Sequence, residues 1–245
     1  MAIVTTDNRY YSEIASAIRE KIGGSALYAP AQMAAAIKSI QGGEAMSIET
    51  IWAICGYEPP PELPVGYTLL EYIQSTGTQY INTGFKPNQN THIIMDVQAT
   101  ATGTHVYWGA RTGSLVNTFC CFALSGTSVR SDFGTTQKSM STSKITSRVI
   151  VEQNKNVCTH GELSVSHDAQ TFQCDFPLYL LAANTTGSVE YASMPSKVYS
   201  CRIYDNGTLV RDFVPCKNPS GVFGLYDMAN AQFYGNAGSG SFTGA

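Results

Sequence analysis

Short segments that alternate apolar with polar residues dominate the chain from Val65 onward and restrict the folds it can adopt. Clusters of Gly, Asn, Ser and Thr separate these segments, and no helical pattern alternates with them. Because successive side chains of a strand point to opposite faces, this alternation indicates strands with one buried face. Many short strands with frequent turns are typical of an antiparallel sandwich or jelly roll and disfavour a βαβ nucleotide fold. The segments include THIIMDVQA, HVYWGA, FCCFALS, SRVIVEQN and FPLYLLAAN.

The segment YDNGTLV gives the clearest local signal for a hairpin in this chain. Asn206-Gly207 suits a type I′ turn, because both central positions of that turn need a positive φ. We therefore predict that Val198–Tyr204 pairs with Leu209–Phe213. Alternation on the first strand groups three residues on the face that is the better candidate for the core: Tyr199, Cys201 and Ile203.

The chain ends in a segment rich in glycine and aromatic residues, at positions 220–242. We predict a structural terminus, in which YDMANAQFY forms a turn between two short strands with Asn230 at the bend. A phosphate-binding loop is disfavoured, because no Lys follows and no helix is expected to begin there. Ligand contact by Tyr226 or Tyr234 is the alternative. The residues predicted to fill the core or cover its edge are Leu225, Phe233 and Phe242.

Residues 1–45 are predicted to form a small helical hairpin that anchors or oligomerises the chain. Apolar residues recur there at spacings of three and four, and glycine pairs end both helices. Two helices this short do not bury enough surface to be stable alone, so their apolar stripes need a partner. Other copies of the chain or a larger assembly would provide one, and packing against the C-terminal domain is the alternative. The anchoring residues are Tyr11, Ile14, Ile18, Ile22, Met33, Ile37 and Ile40.

Residues 46–64 are predicted to connect this hairpin to a β domain that covers residues 65–245. They begin with an apolar run around Trp52 and end in EPPPELP, at positions 58–64. A proline-rich segment adopts an extended, semi-rigid conformation and separates the parts that it joins. The domain boundary is therefore predicted at the end of this linker.

The low charge of the chain limits the partners that it suits. The formal net charge is −3 and 13% of residues are charged, so the basic surface that nucleic acids require is missing. The sequence contains no run of about 18 apolar residues, which argues against membrane insertion. The N-terminus lacks the features of a secretory signal, so we expect synthesis in a reducing cytoplasm. A polar but uncharged surface favours neutral hydrogen-bonding ligands or structural assemblies.

The seven cysteines are predicted to act as small hydrophobic residues with free thiols. Their number is odd, and no CxxC spacing indicates a zinc site. Cys120 and Cys121 are adjacent on a predicted strand, so we expect them to point to opposite faces. No cysteine has an identifiable histidine partner, which disfavours a catalytic thiol.

Five blocks of the β domain, taken together and in order, resemble a known family. They are similar to the laminin-G-like, concanavalin A-type jelly-roll domains of bacteriophage and prophage tail proteins, both receptor-binding and minor structural ones. The resemblance covers residues 66–245, and the N-terminal hairpin resembles a short leader of phage tail and baseplate proteins. The blocks are residues 69–91, 108–111, 177–188, 198–215 and 214–242.

The resemblance implies both a fold and a biological setting. The fold is mostly β, an antiparallel jelly-roll sandwich preceded by the small helical hairpin. Its lectin-like domain is expected to bind a host cell-surface glycan during host attachment, while the N-terminal helices hold it to other tail or baseplate proteins. The expected state is a homo-oligomer, with a trimer favoured. It would belong to the phage tail of the virion, after synthesis in the bacterial host cytoplasm.

The same resemblance raises calcium as a cofactor, because many laminin-G-like domains hold it with loop carboxylates and carbonyls. The candidate acids in this chain are Asp132, Asp168 and Asp175, and each is isolated in the sequence. The four histidines are likewise scattered. We therefore predict no resident metal ion and no other cofactor.

The richest local supply of sugar-binding groups is THVYWGARTGSLVNTF. An aromatic face packs on a pyranose ring, while amide, hydroxyl and guanidinium groups bond its hydroxyls. Alternation places neighbouring Tyr107 and Trp108 on opposite faces, so only one is expected to face solvent, and core packing by Trp108 is the alternative. Loops at 112–117, 134–144 and 184–191 are low in charge and rich in side-chain hydrogen-bonding groups, so they are further candidates. The predicted ligand-binding residues are Tyr107, Trp108, Arg111, Asn117 and Asn184.

We predict no catalytic residues and no enzymatic activity. Glycoside hydrolysis requires two carboxyl groups held about 5–9.5 Å apart. No two acidic residues of the β domain lie within five positions of each other in the sequence. Two alternatives to glycan binding remain. One is a purely structural or decoration protein of the virion without a glycan site, and the other is a polysaccharide-degrading enzyme whose carboxylates converge from separate strands.

Overall fold

A computed structural model of the protein describes residues 61–124, 127–142, 145–190 and 195–245. The chain divides into two units, Met1–Pro60 and Pro61–Ala245, and every described residue belongs to the second. The predicted helical hairpin lies outside the described residues, and so do the residues predicted to anchor it. These are Tyr11, Ile14, Ile18, Ile22, Met33, Ile37 and Ile40.

The regular secondary structure of the described residues consists of β-strands. The predicted β character is therefore confirmed for this part of the chain, where we also find no helix with the length and apolarity to cross a bilayer. In chain order the strands are β1 Thr68–Leu69, β2 Ile73–Ser75, β3 Ile81–Asn82, β4 Thr91–Ala99, β5 His105–Arg111, β6 Thr118–Leu124, β7 Ser128–Gly134, β8 Thr136–Ser141, β9 Val149–Asn154, β10 Val157–His160, β11 Leu163–Ser166, β12 Tyr179–Leu180, β13 Ala183–Thr185, β14 Ser188–Glu190, β15 Ser196–Asp205, β16 Thr208–Lys217, β17 Phe223–Asp227, β18 Gln232–Tyr234 and β19 Thr243–Gly244.

The strands form two sheets, which we call sheet A and sheet B. Sheet A has the order β11-β10-β9-β4-β15-β16-β17-β18, with β2 beside β15, β1 beside β16 and β19 beside β2. Sheet B has the order β14-β13-β5-β6-β7-β8, with β12 beside β5 and β3 beside β12. The pairings between these strands are antiparallel, except that β13 runs parallel to β5. The predicted antiparallel architecture is therefore confirmed.

The two sheets share one apolar core. On β4 burial alternates residue by residue, and Ile93, Met95 and Val97 are fully buried. Phe119 and Phe133 enter the same core from sheet B. Strands with one apolar face bury it by packing against another sheet, which produces a sandwich. The alternation of the sequence therefore correctly predicted which face of β4 lies inside.

The hairpin of β15 and β16 is confirmed, but one of its predicted core residues is wrong. The turn at Asn206-Gly207 has φ angles of 50° and 82°, as a type I′ turn requires. Cys201 and Ile203 are buried as predicted. Tyr199 is only half-buried, because the register of β15 against β4 shifts at this residue. The resulting bulge breaks the alternation and buries Val198 instead.

The C-terminal segment forms the predicted turn, which connects β17 to β18. Asn230 stabilises the bend, because its Nδ2 donates a hydrogen bond of 2.8 Å to Asp227 Oδ2. Leu225 and Phe242 are buried in the core, and Phe233 is half-buried. The segment therefore has the structural role that its sequence indicated.

Six cysteines lie among the described residues, and all six are buried with free thiols. Cys121 belongs to the main core, whereas Cys120 belongs to a small second cluster with Val106 and Phe122. The adjacent pair therefore points to opposite faces of β6, as predicted. Burial raises the pKa of the Cys120 thiol to about 12, so this sulfur is unreactive at neutral pH.

Two buried histidines form polar contacts that join the sheets. His160 on β10 of sheet A contacts the hydroxyl of Tyr107 on β5 of sheet B, with 3.2 Å between Nε2 and the oxygen. His167 follows β11, and its Nε2 and Nδ1 lie 3.0 Å from Ser131 Oγ and 2.8 Å from Thr136 Oγ1 of sheet B. Burial lowers the pKa of both imidazoles, that of His167 to about 4. Both rings are therefore neutral in the folded protein at pH 7.

We expect the sandwich to lose stability as the pH falls from about 6.5 to about 4. In this window the unfolded chain has a histidine of ordinary pKa and binds a proton that folded His167 does not, so the free energy of unfolding decreases. Thermal melts at several pH values should show a steeper loss of Tm in the natural protein than in His167→Gln. Equal pH slopes in the two proteins would contradict this account.

Candidate functional site

Tyr107 and Trp108, two of the predicted ligand residues, are both buried in the core, with 1% and 0% of their surface exposed. The register of β5 against β6 shifts between Val106 and Trp108, so Tyr107 is the extra residue of a bulge. Both rings consequently turn toward the core. The expectation that one of them faces solvent is wrong, because the bulge breaks the alternation on which it rested. Neither ring offers a face to a ligand in solvent.

Arg111 lies at the end of β5 and is held by neighbours within sheet B. Its Nε donates a hydrogen bond of 2.7 Å to Thr185 Oγ1, and its guanidinium forms an ion pair with Glu190. Thr185 Oγ1 in turn donates to Glu190 Oε2 at 3.1 Å. A ligand anion would therefore have to compete with a carboxylate already in place. Ligand contact by Arg111 stays a prediction.

Asn184 lies on β13 and Asn117 lies just before β6, and both take part in hydrogen bonds within the protein. Asn184 is 1% exposed, and it donates through Nδ2 to the carbonyl of Pro177 and accepts at Oδ1 from the amide of Gly187. Asn117 is half-buried with a φ of 46°, and its carbonyl accepts from the thiol of Cys174 at 2.8 Å. The buried amide of Asn184 is thus used to close the turn between β13 and β14, and ligand contact by Asn117 stays a prediction.

The three acids considered for calcium do not gather at one place. Asp132 is buried, with its Oδ1 3.1 Å from the guanidinium Nε of Arg130. Asp175 accepts a hydrogen bond of 2.9 Å from Thr112 Oγ1. Among the residues that the structure describes, no three His, Cys, Asp or Glu side chains are grouped so that they could hold a metal ion. Asp132, Asp168 and Asp175 therefore do not form a calcium site together.

A cleft of about 520 Å³ lies at one end of the sandwich, where three segments meet, and we call it the amide cleft. The segments precede β4, precede β12 and form the tip of the β15–β16 hairpin. Asp205, at the end of β15, pairs with Thr91, at the start of β4, which brings the hairpin tip beside the segment before β4. An isolated bridge between Asn88 and Gln173 brings the segment before β12 to the same place. The five predicted ligand residues are not part of its lining. The lining residues are Asn88, Gln89, Asn90, Thr171, Phe172, Gln173 and Asn206.

Reciprocal hydrogen bonds join the first two of these segments. The amide of Gln89 donates to the carbonyl of Phe172 at 3.3 Å, and the amide of Phe172 donates to Gln89 Oε1 at 3.0 Å. Gln173 Nε2 donates to the carbonyls of Lys86 and Pro87 at 3.1 and 3.2 Å. These bonds hold one wall of the amide cleft in a fixed position without help from a ligand.

Asparagine side chains join the hairpin tip to the segment before β4. Asn88 Nδ2 donates to Asp205 Oδ1 at 2.9 Å, and Asn90 Nδ2 donates to Asn206 Oδ1 at 2.8 Å. Asn206 Nδ2 also donates to Asp205 Oδ1, at 3.0 Å. The backbone amide of Asn90 donates to Asn88 Oδ1 at 2.7 Å, which closes the turn between them. The second wall of the cleft, formed by the hairpin tip and the segment before β4, is therefore also held in a fixed position.

Phe172 fixes the position of the cleft relative to the core. Its ring is 7% exposed and meets the ring of Phe133 edge-on, with 4.9 Å between centroids. Its neighbours Thr171 and Gln173 are exposed. Burial of Phe172 therefore holds its two sequence neighbours at the surface, with the hydroxyl of Thr171 before it and the amide of Gln173 after it.

Sequence reasoning missed the amide cleft, although its residues carry a signal. The runs NQN at 88–90 and QTFQ at 170–173 are rich in amides and free of charge. They are about eighty positions apart, and the third contributor, Asn206, was interpreted only as a turn residue. A search for amide-rich runs would have found each piece, but only the pairing of the strands brings them together.

Comparison with solved structures finds several similar chains, of which two are described here. No family model and no curated protein matches the sequence. A Ruminococcus gnavus IT-sialidase CBM40 domain bound to alpha2,3 sialyllactose is 13% identical, with a TM-score of 0.36 over 54% of this chain and 90% of that one. The mouse laminin alpha1 chain, domains LG4-5, is 14% identical, with a TM-score of 0.38 over 62% and 44%. At this level of similarity neither protein indicates what this chain binds.

We expect Trp108→Ala to lower the free energy of unfolding by about 3–5 kcal/mol, because it empties a large volume in a packed core. Urea denaturation followed by circular dichroism measures the change. Val222→Ala is the control, since Val222 is 48% exposed and its truncation should cost no more than about 0.5 kcal/mol. A Trp108→Ala protein as stable as the control would contradict the core position of this ring.

Proposed function

We propose that residues 65–245 form a non-catalytic carbohydrate-binding domain and that the amide cleft is its binding site. The observation that carries this proposal is the lining of the cleft, which consists of five amide side chains, one hydroxyl and the largely buried Phe172. Amides and hydroxyls are the groups that bond the hydroxyls of a sugar. The volume of about 520 Å³ falls within the range of small-ligand sites.

The same lining supports binding rather than hydrolysis. Glycoside hydrolysis needs a pair of carboxyl groups on either side of the scissile bond. The residues that line the amide cleft include no carboxylate, no histidine and no cysteine. Rigid loops at the end of a sandwich are a usual position for recognition sites. We therefore propose recognition without bond cleavage.

We further propose a biological setting from the sequence blocks that resemble phage tail proteins. The described sandwich would be a concanavalin A-type jelly roll, displayed on a phage tail and directed at a glycan of the host surface. The N-terminal helices would anchor the chain to other tail or baseplate proteins as a homo-oligomer, with a trimer favoured. An uncharged cleft makes few strong bonds, so the affinity of one site would be weak. In an oligomer, once one site has bound, binding of the other sites to the same surface becomes intramolecular, which raises the overall affinity.

A glycan array and sedimentation with purified bacterial envelopes test the proposal with the full-length protein. We expect binding by the natural chain and a loss of about tenfold or more in the double variant Asn90→Ala/Thr171→Ala, which removes two polar groups of the lining. Thr171 has an exposed side chain, so its truncation should not unfold the domain. Tm values of all proteins confirm that they are folded.

The control is Gln137→Ala/Ser139→Ala, which removes an amide and a hydroxyl from exposed positions of β8 outside the cleft. Its binding should equal that of the natural protein. Equal binding by the cleft variant would place the site elsewhere on the chain. Failure of the natural protein to bind any glycan or envelope would contradict the proposed function itself.

A further inference from the structure

Two amides that line the cleft are held in one orientation by backbone partners. Gln89 Oε1 accepts from the amide N–H of Phe172, which leaves Nε2 as its remaining donor. Gln173 Nε2 donates to the carbonyls of Lys86 and Pro87, which leaves Oε1 as its remaining acceptor. Because a backbone N–H only donates and a carbonyl only accepts, neither side chain can flip without losing these bonds. In the described part of the chain these two remaining atoms have no hydrogen-bond partner.

Asp205 fixes the orientation of the other amides, although it does not line the cleft. Its carboxylate only accepts, so Asn88 and Asn206 both turn their Nδ2 groups toward it. Asn206 Oδ1 must then accept, and it does so from Asn90 Nδ2. This leaves Asn90 Oδ1 as an acceptor to which the described residues supply no donor. One carboxylate therefore determines, through Asn206, which atom of Asn90 the cleft presents.

The cleft thus presents a defined set of polar atoms to a ligand. Gln89 Nε2 is a donor, Asn90 Oδ1 and Gln173 Oε1 are acceptors, and the hydroxyl of Thr171 can serve as either. A sugar hydroxyl both donates and accepts, so it can pair with every member of this set. A carboxylate or phosphate only accepts, so it would leave two acceptors without a donor.

The charges near the cleft also favour a neutral ligand over an anion, as its hydrogen-bonding groups do. The lining contains no Lys, Arg or His that would neutralise an anion. The carboxylate of Asp205 lies within hydrogen-bond distance of two lining residues, Asn88 and Asn206. A ligand anion in the cleft would therefore lose its hydration and face a negative charge, both of which are unfavourable.

We propose that the amide cleft selects uncharged saccharides over anionic ones and that Asp205 is the positioning residue behind this selectivity. The inference rests on the proposed function, because it names the class of carbohydrate that the same site binds. It predicts recognition of the hydroxyl-bearing parts of a surface glycan rather than of its phosphates, sialic acids or uronates.

Matched oligosaccharides test this inference by isothermal titration calorimetry with the full-length protein. The probes are trisaccharides of galactose, glucose and mannose and of the corresponding uronates, in which a carboxylate replaces the C6 hydroxymethyl group. We expect at least one neutral trisaccharide to bind. The affinity of its uronate counterpart should be lower by about tenfold or more. If binding to one site is too weak for calorimetry, an array that displays the same probes at high density detects it through multivalent contacts.

Gln89→Glu tests the presented donor with nearly no change of shape. The glutamate keeps the oxygen that accepts from the amide of Phe172 and replaces the donor Nε2 with an acceptor. We expect a loss of about tenfold or more for the neutral probe. Gln232→Glu is the matched control, because it adds the same charge at an exposed position of β18 and keeps the oxygen that accepts from Tyr234. Its affinity should equal that of the natural protein.

Asp205→Asn tests the positioning role through selectivity rather than affinity. The amide removes the negative charge and can donate as well as accept, so the orientation of Asn206 and Asn90 is no longer dictated. We expect the preference for neutral over uronate probes to fall by about tenfold, toward equal binding. A merely structural role would lower both affinities together and leave their ratio unchanged.

The outcomes separate this inference from the proposed function. The inference is supported if the natural protein prefers the neutral probe, if Gln89→Glu lowers the affinity for that probe, and if Asp205→Asn lowers the preference. Uronates bound as well as or better than their neutral counterparts, or an unchanged ratio in Asp205→Asn, would overturn it while carbohydrate binding stands. Absence of binding to every probe and every array glycan would overturn both.

Discussion

The register of β4 against β15 is the constraint on which the rest of this structure depends. The pairing runs from Ala99 opposite Ser196 to Thr91 opposite Asp205, across the centre of sheet A. A slip of one residue would turn the apolar face of one of the two strands toward solvent, so the core itself fixes this register. Its last pair brings the hairpin tip beside the segment before β4. Packing of the core therefore also determines which segments meet at the amide cleft, because it fixes the register of β4 against β15.

The division between core and cleft also explains the chemistry of the site. The aromatic rings that looked suited to stacking on sugars, Tyr107 and Trp108, are used to fill the sandwich, and Arg111 is paired with Glu190. What remains at the end of the sandwich is a set of amides whose partners dictate their orientation. Such a site depends on preorganised hydrogen bonds rather than on charge, which suits a ligand made of hydroxyl groups.

The sequence predicted the elements whose signals are local and regular. Alternation placed Ile93, Met95 and Val97 inside, and Asn206-Gly207 correctly predicted the hairpin turn. Both errors in strand faces, at Tyr107 and Tyr199, occur at bulges. A bulge adds one residue against the partner strand, so it is a property of the pair and leaves no mark in either strand alone.

The candidate site was missed for a related reason. Its residues come from three segments that are distant in sequence, and each has an ordinary interpretation when taken singly. Asn88 and Asn90 resemble turn formers, and Asn206 is one. Their shared role depends on hydrogen bonds to Asp205 and Phe172, which no local pattern encodes. A binding site built from oriented amides is therefore harder to find in a sequence than one built from charged or metal-binding motifs.

The most direct measurement is a crystal structure of the full-length protein with a bound neutral oligosaccharide. The account predicts sugar density in the amide cleft, with hydroxyl groups within hydrogen-bond distance of Gln89 Nε2 and Asn90 Oδ1 and with the loops unmoved. Density for the sugar against Arg111 and Glu190, or at any other surface with the amide cleft holding solvent alone, would contradict it.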